Sequence, residues 1–249
     1  MGFEAVIGID CATQPRSIGL ARAVRVNERW RLAEIVDGSS SLDPATMVAA
    51  WLEETPCALL ALDAPLGWPR RLGASLVDHD AGEPLAPDSD QLFSRDTDRH
   101  VHALYGKKPL EVGAGWIART AVAALGLLHE VRARTGHRLP LLWDPSESQA
   151  AAAIEVYPAA TLRAHGVRAS GYKKDAAGSG RASVGDLLAR TMDLSDGFDA
   201  TTRTDDAIDA ALCVLAGIDV ASGRAIAPSG EQLAAARREG WIWVARPQA

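Results

Sequence analysis

The chain reads as an α/β domain, a mixed sheet flanked by helices, on three observations. Small and β-branched residues, Glu4-Ala-Val-Ile-Gly-Ile-Asp10, form a strand pattern near the start that ends on an acid. A continuous apolar run of strand length, Cys57-Ala-Leu-Leu-Ala-Leu-Asp63, ends on a second acid. Such a run marks a strand covered on both faces. Helical patterns follow it, one of them opening at Thr204-Asp205-Asp206. A length of 249 residues suits one domain over 1–249, because chains of this size can bury a single large core.

The elements follow in order. After the first strand, Ser17–Val26 and Arg29–Val36 read as two more, and the short link between them suits a hairpin. Asp43-Pro44 supplies a cap and a first-turn proline for a helix over Ala45–Glu53. Residues 64–113 carry prolines at 65, 69, 84, 87 and 109 and an acidic run, and read as an irregular, lid-like insertion. Helical spacing returns over Ile117–Arg134, with Ala121, Val122, Leu125, Leu128 and Val131 on one stripe. Ala151–Tyr157 is strand-like up to Pro158, although its alanines could equally extend a helix from Ser148. Residues 170–182 are flexible in composition. Thr204 caps a helix running through Ala216, and the tail reads as a helix, Glu231–Arg238, then an edge strand, Trp241–Ala245.

Composition narrows the function. The longest apolar runs fall well short of the roughly 20 residues that span a bilayer, and no basic-then-apolar leader is legible, so a soluble cytoplasmic protein with no membrane partner is expected. Cys11, Cys57 and Cys213 are scattered and never form a Cys-x-x-Cys pair, which suits a reducing compartment and argues against a zinc site. The net charge of −6 gives no general attraction to nucleic acid. The charges are nevertheless segregated: residues 76–98 are acidic, while 99–138 and 163–190 lean basic, as solvated faces or as a basic rim around an acidic centre.

The chemistry-bearing pattern is a set of acids at element ends. Asp10 and Asp63 sit where strands run out, the place where open α/β sheets gather ligands. Asp206 and Asp209 are three apart on one helix and share a face. Carboxylates on separate elements are what a Mg2+ or Mn2+ site needs, since hard cations take oxygen ligands. Glu155 is a further catalytic candidate on its strand. Arg95-Asp-Thr-Asp-Arg99 alternates signs within five residues, as a local salt-bridge network or as a phosphate clamp.

Val-Ile-Gly-Ile-Asp10, Leu-Asp63-Ala-Pro-Leu-Gly, Ile-Glu155-Val-Tyr-Pro158 and Asp205-Asp206-Ala-Ile-Asp209-Ala-Ala-Leu occur in that order. Together they resemble the family called domain of unknown function 429, regarded as predicted nucleases with a ribonuclease H-like fold. Arg95–Arg99, Gly171-Tyr-Lys173 and Glu239-Gly-Trp-Ile242 also resemble pieces of it. The resemblance implies strands one to three antiparallel and later strands parallel. The Asp-x-x-Asp-Ala portion is similar to the last helix of bacterial Holliday-junction resolvases, which carry Glu where Asp63 stands here. It implies Asp10, Asp63, Asp206 and Asp209 as metal ligands. The function expected is a divalent-metal-dependent phosphodiester hydrolase acting on nucleic acid or a smaller phosphodiester, with Arg95, Arg99 and Lys173 on the flanking phosphates. Two rivals are a phosphoryl-transfer enzyme of the related actin-like and sugar-kinase fold, and a catalytically inactive binding protein. The first rival lacks the glycine-rich phosphate hairpin, for Asp10-Cys-Ala-Thr-Gln-Pro-Arg has no glycine.

Overall fold

The structure, a computed structural model, describes residues 2–38, 43–113, 115–146, 150–169, 172, 179–195 and 198–247. Among these, the chain forms β1 (Ala5–Asp10), β2 (Gly19–Val26), β3 (Arg29–Val36), α1 (Pro44–Glu54), β4 (Ala58–Asp63), α2 (Arg70–Leu76), α3 (Ser89–Phe93) and α4 (Asp96–Tyr105). Then follow α5 (Gly115–Thr135), β5 (Ala151–Glu155), α6 (Pro158–Ala164), α7 (Ser179–Thr191), α8 (Asp205–Ala221) and α9 (Glu231–Glu239).

The five strands form one mixed sheet in the order β3-β2-β1-β4-β5. β1 pairs antiparallel with β2, and β2 with β3, through a turn in which Asn27 and Glu28 both take positive φ. Two positive φ values in a two-residue turn match the twist of the strands it joins. β4 lies parallel to β1 and β5 parallel to β4. β1 and β4 are in register from Ala5 opposite Ala58 to Asp10 opposite Asp63.

Side-chain alternation divides the core between the two faces of the sheet. Ala5, Ile7 and Ile9, with Ala58, Leu60 and Leu62, pack against Val48, Trp51 and Leu52 of α1 and Ala124, Leu128 and Val131 of α5. Val6, Leu59 and Ala61 face the other way, onto Ile208, Leu212 and Leu215 of α8 and Val184 and Leu188 of α7. Asp10 and Asp63 share that second parity, so both carboxylates leave the sheet toward α8.

α8 lies very close to the sheet. A Cβ added at Gly8 would meet the Ala210 carbonyl oxygen at 2.1 Å and the Val214 nitrogen at 2.8 Å. One added at Gly19 would meet the Asp206 carbonyl oxygen at 2.1 Å. Thr204 caps the helix by accepting from Ala207 N–H, as its sequence suggests.

Three expectations need revision. The stretch 64–113 is not wholly irregular, because α2, α3 and α4 lie within it. They are short and polar, so they lack the apolar stripe that reveals a helix in sequence. All five prolines fall outside them, and Asp88 caps α3 by accepting from Gln91 N–H. The expected edge strand at Trp241–Ala245 is reduced to isolated bridges, Ile242 with Glu155 and Ala245 with Ala225. β2 begins two residues late, at Gly19, because Pro15–Ser17 make a short 3-10 turn. Of the stretch 170–182, residues 179–182 belong to α7, while 170, 171 and 173–178 lie outside the described residues. Among the described residues, no helix is long and apolar enough to cross a membrane.

Gly8→Ala should destabilise the protein by about 3 kcal/mol or more, because the obstructing atoms are backbone and cannot turn aside. A urea titration checks this, and an unchanged midpoint would mean that α8 can lift from the sheet at little cost.

Candidate metal centre

Three carboxylates meet above the ends of β1 and β4. One oxygen each from Asp10, Asp63 and Asp209 lies within 4.8 Å of the other two. Asp10 and Asp63 are brought together by register, and Asp209 by the close approach of α8 at Gly8. Asp10 and Asp63 are half-buried, whereas Asp209 is 1% exposed. A carboxylate that deep is costly unless it is hydrogen-bonded or paired. The Tyr172 hydroxyl donates to Asp209 Oδ1 at 2.5 Å. Burial, and then Asp209 beside it, push the Tyr172 pKa up, so the phenol stays a donor. Asp10 and Asp63 open onto a cleft of about 280 Å3 walled by Pro65, Pro109, Leu110 and Ile117.

Asp206, expected beside Asp209, does not join them. It sits in the first turn of α8, above Gly19, with Oδ2 only 2.8 Å from where a Gly38 Cβ would be. That aims it at the segment after β3 rather than at the strand ends. Its neighbour Asp205 is drawn off to Arg181.

Arg95 takes the salt-bridge alternative and not the phosphate clamp, and Glu155 is its partner. Arg95 is 1% exposed and Glu155 3% exposed. All five guanidinium N–H groups are taken. Nε donates to Asp98 Oδ2 (3.1 Å), Nη1 to Glu155 Oε2 (2.9 Å) and the Glu239 carbonyl (3.0 Å), and Nη2 to Asp98 Oδ1 (2.8 Å) and Glu155 Oε1 (2.7 Å). Arginine has five such donors and no more, so none remains for phosphate. Burial opposes the charge on Arg95, but Glu155 and Asp98 outweigh it and hold the guanidinium pKa above its ordinary value. Glu155 Oε2 also accepts from Leu66 N–H at 2.9 Å, which fixes the backbone just beyond Asp63. With both oxygens engaged, Glu155 is a structural acid at the cleft floor and not a free base.

The same network explains two motifs that sequence reasoning could only mark. Thr97 accepts from Ile242 N–H at 2.8 Å, and Glu239 accepts from the backbones of Arg70 and Asp96 at 2.9 and 2.8 Å. The Arg95–Arg99 and Glu239–Ile242 segments therefore dock on each other. Arg99 donates to the Ser94 carbonyl and to Asp96. It lines a separate pocket with Arg70 and His100, so it does not reach the acidic cleft. Lys173 lies outside the described residues.

Two groups near the centre escaped the sequence reading. Tyr172 carried no signal beyond its place in Gly171-Tyr-Lys173, since its partner is 37 residues away. Cys11 and Cys213, marked in the sequence only as scattered cysteines, both approach the Ile9 carbonyl, at 3.8 and 3.7 Å. Burial, reinforced by Asp10 and Asp63, pushes both thiol pKa values up.

The structure thus presents an α/β domain in which two carboxylates at the strand ends of a mixed sheet converge with a third from α8. The chain belongs to the family described as Protein of unknown function (DUF429), whose model matches residues 8–233. No curated protein matches it.

Removing Arg95 strands two buried carboxylates, so Arg95→Met should cost about 3–5 kcal/mol of stability. Arg99→Ala, at a partly exposed ion pair, should cost under about 1 kcal/mol. Denaturant midpoints for the two variants check the contrast, and equal losses would deny the buried network its special role.

Proposed function

We propose that the protein is a divalent-metal-dependent phosphodiester hydrolase of the ribonuclease H-like kind, acting on nucleic acid. The observation that carries this reading is the convergence of Asp10, Asp63 and Asp209 within 4.8 Å at a solvent-reachable cleft. The mixed sheet, with β4 and β5 parallel to β1 and β2 antiparallel to it, supports the fold assignment.

The donor set fits magnesium or manganese. It consists of hard carboxylate oxygens from three separate elements, one of them buried, where a cation offsets charges that burial penalises. When bound, such an ion polarises a phosphoryl oxygen and activates water for in-line attack. The chain's own residues do the rest. Asp10, Asp63 and Asp209 would hold the ion, and Tyr172 fixes one Asp209 oxygen by donating to it. Glu155 and Arg95 hold the segment that follows Asp63. Pro65, Leu110 and Ile117 shield the reacting phosphate from bulk water.

A ligand that binds only the folded state stabilises it by mass action. At a tenfold excess of manganese over its Kd, the melting temperature should rise by roughly 3–6 °C. Asp10→Asn should remove that rise together with manganese-dependent cleavage of oligonucleotides. Tyr172→Phe should keep the site and weaken manganese binding by about tenfold, the usual effect of losing a group that orients a ligand. A melting curve of the wild type indifferent to manganese and magnesium would sink the metal reading.

A further inference from the structure

We propose that the shallow groove beside the acidic cleft, between Thr13, Trp68 and the first turns of α5, takes an unpaired nucleobase of a single-stranded substrate. The inference rests on the metal-hydrolase reading and adds the substrate class to it.

The cleft is poor in cations. Among the described residues lining it, the only cation is Arg95, and its donors are all spent. Arg99 opens elsewhere. Nucleic-acid binding through phosphates needs several available Lys or Arg side chains, and a chain of net charge −6 supplies no general attraction. Affinity has to come from another kind of contact.

The adjoining groove offers one. It holds about 560 Å3 and is lined by Thr13, Trp68, Ala118, Arg119 and Val122. That is room for a nucleoside. Both chain segments that leave the metal ligands run straight to it: Thr13 lies three residues past Asp10, and Trp68 five past Asp63. α5 stands between the two, turning Ile117 and Thr120 to the cleft and Ala118, Arg119 and Val122, about half a turn round the helix, to the groove. Beside the groove Trp116 is 77% exposed and Val122 62% exposed, and Leu110, on the cleft wall, is 66% exposed. These account for three of the six large apolar side chains exposed among the described residues. The Arg119 guanidinium lies 6.0 Å from the centre of the Trp116 ring.

An exposed indole ring beside an arginine, with the half-buried Trp68 lining the groove, is the chemistry of a stacking platform, which takes any base by its π-face and the adjacent phosphate by its charge. A paired base keeps both faces covered by its neighbours, so the occupant is an unpaired one.

The test uses fluorescence anisotropy in millimolar manganese. The probes are an end-labelled twelve-nucleotide phosphorothioate thymidine strand, which resists cleavage, and a blunt duplex of equal length. The strand should bind more tightly than the duplex. Trp116→Ala and Trp68→Ala should each weaken strand binding by roughly five- to a hundredfold, Trp116→Phe should recover most of the loss, and the manganese melting shift should stay intact in all three. Trp116 is exposed enough for its removal to spare the fold. Wild-type binding of the strand by both alanine variants, equal affinity for strand and duplex, or a Trp116→Ala effect confined to self-association would each overturn the proposal. Tryptophan-dependent strand binding without any manganese shift would instead leave the groove standing and remove the metal site.

Discussion

The closeness of α8 to the sheet is the constraint on which the site depends. The helix rests its backbone on Gly8 and Gly19, where any side chain would collide with carbonyl oxygens. Without that contact Asp209 would be carried away from the strand ends, and the burial of Ile208, Leu212 and Leu215 against Val6 and Ala61 would be lost with it. Apolar packing therefore supplies free energy that brings the three carboxyl groups together, because the core beneath has one arrangement.

A second arrangement, built from opposite charges, secures the ground around the cluster. Arg95 joins α4, the end of β5 and the end of α9 through one guanidinium, and Glu155 passes the constraint on to Leu66. Buried ion pairs add little to net stability but penalise any arrangement that leaves a member unpaired. Here that penalty keeps the chain leaving β4 in one place. The loop beyond Asp63 and the polar helices α2 to α4 are thus tied to the sheet with few apolar contacts.

Much of this was legible in the sequence. Asp10 and Asp63 announced themselves by ending apolar runs, and the parity that turns them to one face follows from strand geometry alone. Asp209 stood out as an acid among apolar neighbours. Asp206 shared its spacing but not its fate, because i and i+3 residues diverge by about 60° around a helix, enough to aim one at the strand ends and the other past Gly38. Arg95 and Glu155 misled for a different reason. Sequence gives charge and spacing but not burial, and the partners of Arg95 at 155 and 239 are too distant for any local pattern to reveal. Tyr172 was hidden likewise. The short helices of 64–113 escaped because their stability comes from caps and docking, not from an apolar stripe.

The in-register pairing of Asp10 with Asp63 bears on how such a chain can change over evolutionary time. Adding or deleting one residue within β1 or β4 would turn one aspartate to the α1 and α5 face of the sheet and break the pair. The turns and loops that link β2, β3 and α1 between them are under no such discipline, since loop length weighs only weakly on stability. Relatives that keep the chemistry are free to grow or shrink between these strands but not inside them. Divergence in this architecture is therefore channelled into its connections.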